Sequence, residues 1–245
     1  MTQITNRLKS ITFTRNLREL YFSFKNVRES PFRSIVKNLD SKGIACVLDV
    51  GANVGQFGVD VRRYGFKGQI ISFEPVEATF KALTRTAKKQ QPWRAIQLGL
   101  GSAESNQDIN VSGNSGLSTS ILPMNSIHLS NFPNSETVAK EKINISTLDN
   151  QIKLLEIDPS TILLKLDVQG FEAEVLKGAI NSLSKIQFCF IEVSLFPMYE
   201  GELTMLPMLN ILADSGHQVI DVFRGIKAKD GALLQLDILT RLATS

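Results

Sequence analysis

The segment Asp49-Val50-Gly51-Ala52-Asn53-Val54-Gly55 ends an apolar run and opens a helical pattern, and Glu74 follows 19 residues after its last glycine. Glycine at such a junction lets the backbone turn with positive φ and approach a ligand closely, because no Cβ intervenes. Asn53 stands where a dinucleotide fold places a further glycine, and asparagine is the next most tolerant of left-handed backbone. The spacing is therefore G-x-N-x-G, not G-x-G-x-x-G. A pyrophosphate wants a helix N-terminus free of nearby anions, and Asp49 would repel it. An acid at this place suits a cationic ligand, such as the amino-acid part of S-adenosylmethionine, directly or through water. Glu74, at the end of the next strand, is placed to accept both hydroxyls of a ribose. Gly51, Asn53 and Gly55 then form the cradle between these two acids.

A second set of residues has the chemistry to act on an acceptor. Asp167, in LDVQGFEAE, closes an apolar strand where ligands bind in open α/β sheets. It reads as a base, a group that orients the acceptor or a ligand of a divalent cation. The alternative is a cap on the next helix, with Glu172 in the first turn; for Glu172 itself the capping role is preferred. Glu192 ends FCFIEV, where a carboxylate is costly without a partner, so it and Asp167 are expected to face one cleft. His128, in LPMNSIH, offers an imidazole suited to general-base work near neutral pH, or a merely solvated side chain. Two carboxylates without a supporting histidine make a poor magnesium site, and metal dependence stays open. His217, beside Gly216, reads as a favourable charge at a helix end. Tyr199, Glu200 and Gly201 read either as a lid over the acceptor or as part of a packed run with Phe196 and Met198.

The elements that must position these residues follow from periodicity. ACVLDV (45–50), QIISFEP (69–75), AIQLGLG (95–101), TILLKLDV (161–168) and QFCFIEVS (187–194) read as buried strands. Between them, Val54, Phe57, Val61 and Tyr64 mark a helix closed by Gly65, and Val76, Phe80, Leu83 and Ala87 mark another. Val175, Leu176, Ala179, Ile180 and Leu183 mark a third, and Pro207 and Gly216 bracket a last one. HQVIDVF (217–223) and LLQLDILTRL (233–242) close the chain as a strand pair. Residues 102–148 break the rhythm with strands at 108–112 and 142–147, and are expected to wall a substrate site. The alternation implies an α/β, doubly wound, mostly parallel sheet with an antiparallel edge strand and helices on both faces. Residues 44–245 form that domain. Residues 1–43 form a basic helical segment in which Leu17, Leu20, Tyr21, Phe24 and Val27 share a helical spacing, with a break at Ser30-Pro31. This segment either packs over the domain or offers a peripheral contact to an anionic membrane or a partner.

The stretches VLDVGANVGQF, IISFEP, SGLSTSILPM, LLKLDVQGFEAEVLKGA and FIEVSLFPMYEGE together resemble FkbM-type methyltransferases over roughly residues 45–225. The resemblance implies the class I methyltransferase fold, Rossmann-like, with a seven-stranded sheet and S-adenosyl-L-methionine at the carboxyl ends of the strands. It implies transfer to oxygen, on a sugar, glycolipid or secondary-metabolite hydroxyl. By motif position, Asp49, Gly51, Asn53, Gly55 and Glu74 hold the cofactor. Relatives with a similar LPM segment carry a histidine nearby, which favours His128 as base.

Bulk properties narrow the alternatives. The 245 residues are 43% hydrophobic with net charge +3, which fits one globular domain and offers no phosphate track for nucleic acid. Cys46 and Cys189 sit in apolar runs, as small hydrophobes of a reducing compartment do, and the N-terminus lacks the apolar stretch of a secretory signal. The expected location is cytoplasmic and the expected partner a small-molecule, glycan or glycolipid acceptor; oligomeric state is not legible. A dinucleotide oxidoreductase is disfavoured by Asp49 and the missing glycine. A base-methylating enzyme is disfavoured by LDVQG where an N-P-P-Y-like tetrapeptide would stand. A binding module without turnover remains the last alternative.

Overall fold

A computed structural model describes residues 31–243. The expected basic helix at 17–28 lies outside them.

The chain runs α1 (Pro31–Ser41), β1 (Cys46–Val50), α2 (Gln56–Arg63), β2 (Gln69–Phe73), α3 (Glu77–Lys88), β3 (Trp93–Ile96), β4 (Gly99–Leu100) and β5 (Ser105–Ser112). It continues through α4 (Ser126–Asn131), β6 (Thr137–Ser146), α5 (Leu148–Leu154), β7 (Ile162–Leu166) and α6 (Glu172–Lys177). It ends with β8 (Phe188–Ser194), α7 (Met205–Asp214), β9 (His217–Arg224) and β10 (Gln235–Leu242). Seven strands form one sheet in the order β3-β2-β1-β7-β8-β10-β9. All pair in parallel except β10, which is antiparallel to both β8 and β9. The reversed strand thus lies one place inside the edge, which β9 occupies. This is the class I methyltransferase fold, α/β and Rossmann-like.

Strand burial explains why the runs were continuous. Every residue of β1 and β7 is buried, because helices cover both faces of a parallel sheet. On one face Ile35, Leu39, Phe57, Val61 and Leu83 of α1–α3 pack against Val47, Ile70, Leu163 and Phe190. On the other, Leu148, Ile152, Val175, Leu176, Met208 and Leu212 of α5–α7 meet Leu48, Leu164, Leu166 and Ile191. Buried Cys46 and Cys189 are free thiols pushed up to about 12 by burial.

Two expected elements differ. AIQLGLG is split: Trp93–Ile96 stays in the main sheet, while Gly99–Leu100 leaves it to pair with Ile145 and Ser146 in a separate three-stranded sheet, β4-β6-β5. The helix expected to reach Leu183 stops at Lys177: the Gly178 carbonyl accepts from the Asp149 N–H, and the Asp149 carboxylate takes the Asn181 and Ser182 N–H groups that would continue the ladder. Ile180 is left 78% exposed.

Candidate functional site

Gly51 and Gly55 hold φ of 72° and 95° and Asn53 a φ of 48°, so the loop after β1 uses the left-handed region at each position. A Cβ on Gly51 would collide with the Asp167 carbonyl, so only glycine lets this loop lie against the end of β7. Gly55 occupies the cap position of α2, whose first residue is Gln56. Asn53 binds its own turn, accepting from the Val54 N–H at 2.7 Å, and donates through Nδ2 to the Gly116 carbonyl at 3.1 Å. The insertion therefore reaches over the loop, and Gly116, Leu117, Thr119 and Ile121 line the same cavity as Glu74.

Glu74 is buried at the end of β2. Its Oε2 accepts from the Asn53 N–H at 2.9 Å, and its Oε1 from the Val76 N–H at 3.0 Å and the Thr79 hydroxyl at 2.8 Å. Burial raises its carboxyl above the ordinary value, against the pull of these hydrogen bonds.

Asp49 corrects the expectation. It is fully buried beneath the cavity and does not line it. Its Oδ1 lies 3.1 Å from Lys165 Nζ and its Oδ2 accepts from Ser72 Oγ at 3.0 Å. In β1 and β7 the two residues are register partners, Asp49 opposite Lys165, so the ion pair is fixed by strand pairing. Its charge is answered inside the protein and is not free for a ligand.

Lys165 is the residue that sequence reasoning missed. Its Nζ donates to the Gly51 carbonyl at 2.9 Å and the Val50 carbonyl at 3.4 Å, and lies 3.6 Å from Asp167 Oδ2. Burial alone would lower its affinity for the proton, but Asp49 and Asp167 outweigh that and hold it charged. A lysine centred in TILLKLDV was the available signal, since a buried cation requires partners.

Asp167 and Glu192 do face one cavity, as expected. Asp167 is 42% exposed there, with Oδ1 accepting from Gln169 Nε2 at 2.8 Å. The same amide donates to Glu192 Oε2 at 3.2 Å, while Gln235 Nε2 donates to it at 3.0 Å. Burial first, then Asp167, Asp237 and Glu172, raise the Glu192 carboxyl well above the ordinary range. Gln169, at φ 57°, is itself oriented by the Tyr199 hydroxyl, which donates to its Oε1 at 2.8 Å. Tyr199 is thus a buried strut under the acids, not a lid. Asp237, also unforeseen, lines this end; burial and Asp167 raise it to about 6.

Asp167 does not cap α6. Glu172 reaches back instead, accepting from the Val168 N–H at 2.8 Å, and burial raises its carboxyl to about 7. His128 does not line the cavity. It is buried between Phe132 and Tyr199, with ring centroids 5.3 and 5.0 Å away, and neither ring nitrogen has a partner among the described residues. Burial lowers its affinity for the proton. His217 is likewise buried, bonded to Thr240 Oγ1 at 3.0 Å and the Leu183 carbonyl at 3.1 Å; burial favours its neutral form, so it is no charged helix terminus.

The cavity encloses about 340 Å³, within the range of small-ligand sites. The loop and Glu74 share its lining with Asp167, Glu192 and Asp237 and with the rings of Phe32, Phe57 and Phe190. A positive-φ cradle beside a buried ribose-type acid fits the nucleoside of S-adenosylmethionine. Among the described residues, no group of three potential metal ligands occurs and no helix is long and apolar enough to cross a membrane.

Residues 49–223 match the methyltransferase FkbM domain. The chain is 30% identical over 145 residues to hexuronic acid methyltransferase AglP of Haloferax volcanii, covering 59% of this chain and 54% of that protein. It thus spans about half the length of that relative. It is 29% identical over 193 residues to 2-O-methyltransferase NoeI of Sinorhizobium fredii, covering 74% of this chain and 75% of that one. Among solved structures, magnesium protoporphyrin IX methyltransferase ChlM of Synechocystis, with bound cofactor, superposes with a TM-score of 0.47 at 11% identity, over 86% of this chain and 78% of that one. With more than half of its length matched by the domain, the chain belongs to the FkbM family of S-adenosylmethionine-dependent methyltransferases.

Proposed function

We propose that the chain methylates a hydroxyl oxygen on a sugar, carried by a glycan, a glycolipid or a small molecule. The observation that carries this reading is that carboxylates and aromatic rings line the same cavity. Phe57 lies 5.5 Å from both Phe32 and Phe190, centroid to centroid, so the three rings form one apolar floor. The C–H face of a sugar ring suits the negative face of an aromatic ring, while its hydroxyls suit carboxylate acceptors. The names of the two relatives, a hexuronic acid methyltransferase and a 2-O-methyltransferase, point the same way.

Bound in the cradle, S-adenosylmethionine supplies an electrophilic methyl on a sulfonium. Glu74, Gly51, Asn53 and Gly55 hold and orient it. Lys165 fixes the loop carbonyls and so sets the loop against β7. Asp167 and Glu192 receive the acceptor hydroxyl and align its oxygen for direct displacement. The hydroxyl proton would pass to Asp167, the more accessible of the two acids, as the acceptor oxygen took the methyl and the sulfur–methyl bond broke to leave a neutral thioether. Gln169 holds both acids at fixed spacing.

Two variants separate the ends of the site. Glu74→Ala should abolish S-adenosylmethionine binding measured by calorimetry. Asp167→Asn should leave that binding intact and lower turnover by about 100-fold or more. Normal turnover in Asp167→Asn would remove it as the proton acceptor.

A further inference from the structure

Asp237 of β10 stands directly opposite Glu192 of β8 in the antiparallel register, and both line the cavity. Such partners project to the same face with Cβ atoms about 5 Å apart. Asp167 follows at the end of β7, which neighbours β8. Three adjacent strands therefore each deliver one carboxyl to the cavity whose lining includes the aromatic floor.

The cations available to balance this row are few. Among the described lining residues Lys165 is the one lysine or arginine. Its ammonium is already engaged by Asp49, Asp167 and the two loop carbonyls. Among the described lining residues no other positive group remains to receive a negatively charged acceptor. We propose that Asp237 is an acceptor-binding residue and that the row Asp167, Glu192 and Asp237 selects a sugar bearing hydroxyls without a carboxylate, excluding uronic acids. This rests on the sugar-acceptor reading above.

The chemistry of the row supports the selection. Like charges placed directly opposite repel, so Glu192, the more buried, is pushed further toward its protonated form than Asp237, whose carboxyl is raised to about 6. A protonated acid beside a carboxylate presents one donor and one set of acceptors. That is the complement of neighbouring sugar hydroxyls, each of which both donates and accepts. A uronate carboxylate brings acceptors only and a like charge into a desolvated pocket, which disfavours its binding. The relative from Haloferax volcanii is named for a hexuronic acid, so the row is expected to divide this chain from it.

The test uses the full chain, labelled S-adenosylmethionine, and two matched acceptors: a glucuronic-acid oligosaccharide and its carboxyl-reduced counterpart. At pH 7 the reduced acceptor should show kcat/KM on the order of tenfold or more above the uronide. Asp237→Asn should raise KM for the reduced acceptor and narrow the ratio, Asp237→Glu should restore it, and S-adenosylmethionine affinity should not change in either. Equal or faster use of the uronide by the wild type overturns the proposal. So does an Asp237→Asn protein that binds cofactor normally with KM and ratio unaltered. Transfer to neither sugar, with cofactor still bound, removes the sugar-acceptor reading and this proposal with it.

Discussion

Asp49 and Lys165 are buried side by side, and removing one partner leaves the other charge in the interior. Asp49→Ala is expected to lower stability by about 3–5 kcal/mol, read by urea denaturation, because the uncompensated ammonium of Lys165 remains. Replacing both, as Asp49→Leu with Lys165→Met, should recover much of that loss. A fully stable Asp49→Ala would show that the pair does not carry the loop. Glu172 makes a second prediction, about pH. Burial raises its carboxyl from 4.5 to about 7, so the fold favours the protonated form. Its contribution is present below about pH 4.5 and is lost as pH rises through about 7. Glu172→Gln keeps an acceptor for the Val168 N–H without the charge. It should match the wild type near pH 4 and exceed it at pH 8 by up to about 3 kcal/mol, measured as melting temperature across pH. Parallel stability curves would contradict the raised value. At this scale the sequence showed the residue types and their spacing around the loop. It did not show that Asp49 points inward, because its partner Lys165 lies 116 residues later and meets it only through strand pairing.

Trp93 of β3 links the outer strands to the loop. A Cβ on Gly58 of α2 would strike its indole, and one on Gly55 would lie 3.2 Å from it. Its Nε1 donates to Ser72 Oγ at 3.0 Å, and Ser72 donates to Asp49 Oδ2. The chain holds one tryptophan, so emission comes from this position alone. Binding of S-adenosylmethionine is expected to shift that emission saturably, with no shift in Glu74→Ala. A protein that binds cofactor by calorimetry without any emission change would contradict the coupling of β3 to the loop. Strands β1, β2, β7 and β8 were legible because continuous apolar runs mark strands buried on both faces. The split of 95–101 was not, since Gly99 and Leu100 find their partners at Ile145 and Ser146. His128 failed for the same reason: its enclosure depends on Tyr199, 71 residues away, and no local pattern encodes that.

Across the molecule, the carboxyl ends of the parallel strands gather the loop and the acids that line the cavity. β1 and β2 supply the cradle and Glu74, β7 and β8 supply Asp167 and Glu192, and the reversed β10 brings Asp237 to the same edge. Reversal is what makes this possible: the first residues of β10 lie where the parallel strands end. Helix α1 closes the aromatic end through Phe32, with Ile35 and Leu39 locked into the shared core. The fold class was readable from the alternation of strands and helices, and Asp167 and Glu192 from their places at strand ends, while Asp237 was not, because it joins them only through a reversed strand 70 residues after Asp167. The central claim is methyl transfer to a sugar oxygen. Its most direct test is incubation of the purified chain with methyl-labelled S-adenosylmethionine and cell-derived oligosaccharides, followed by linkage analysis of the labelled product. Label in an O-methyl sugar is the predicted result, and label recovered on nitrogen, on carbon or on no sugar at all would contradict it.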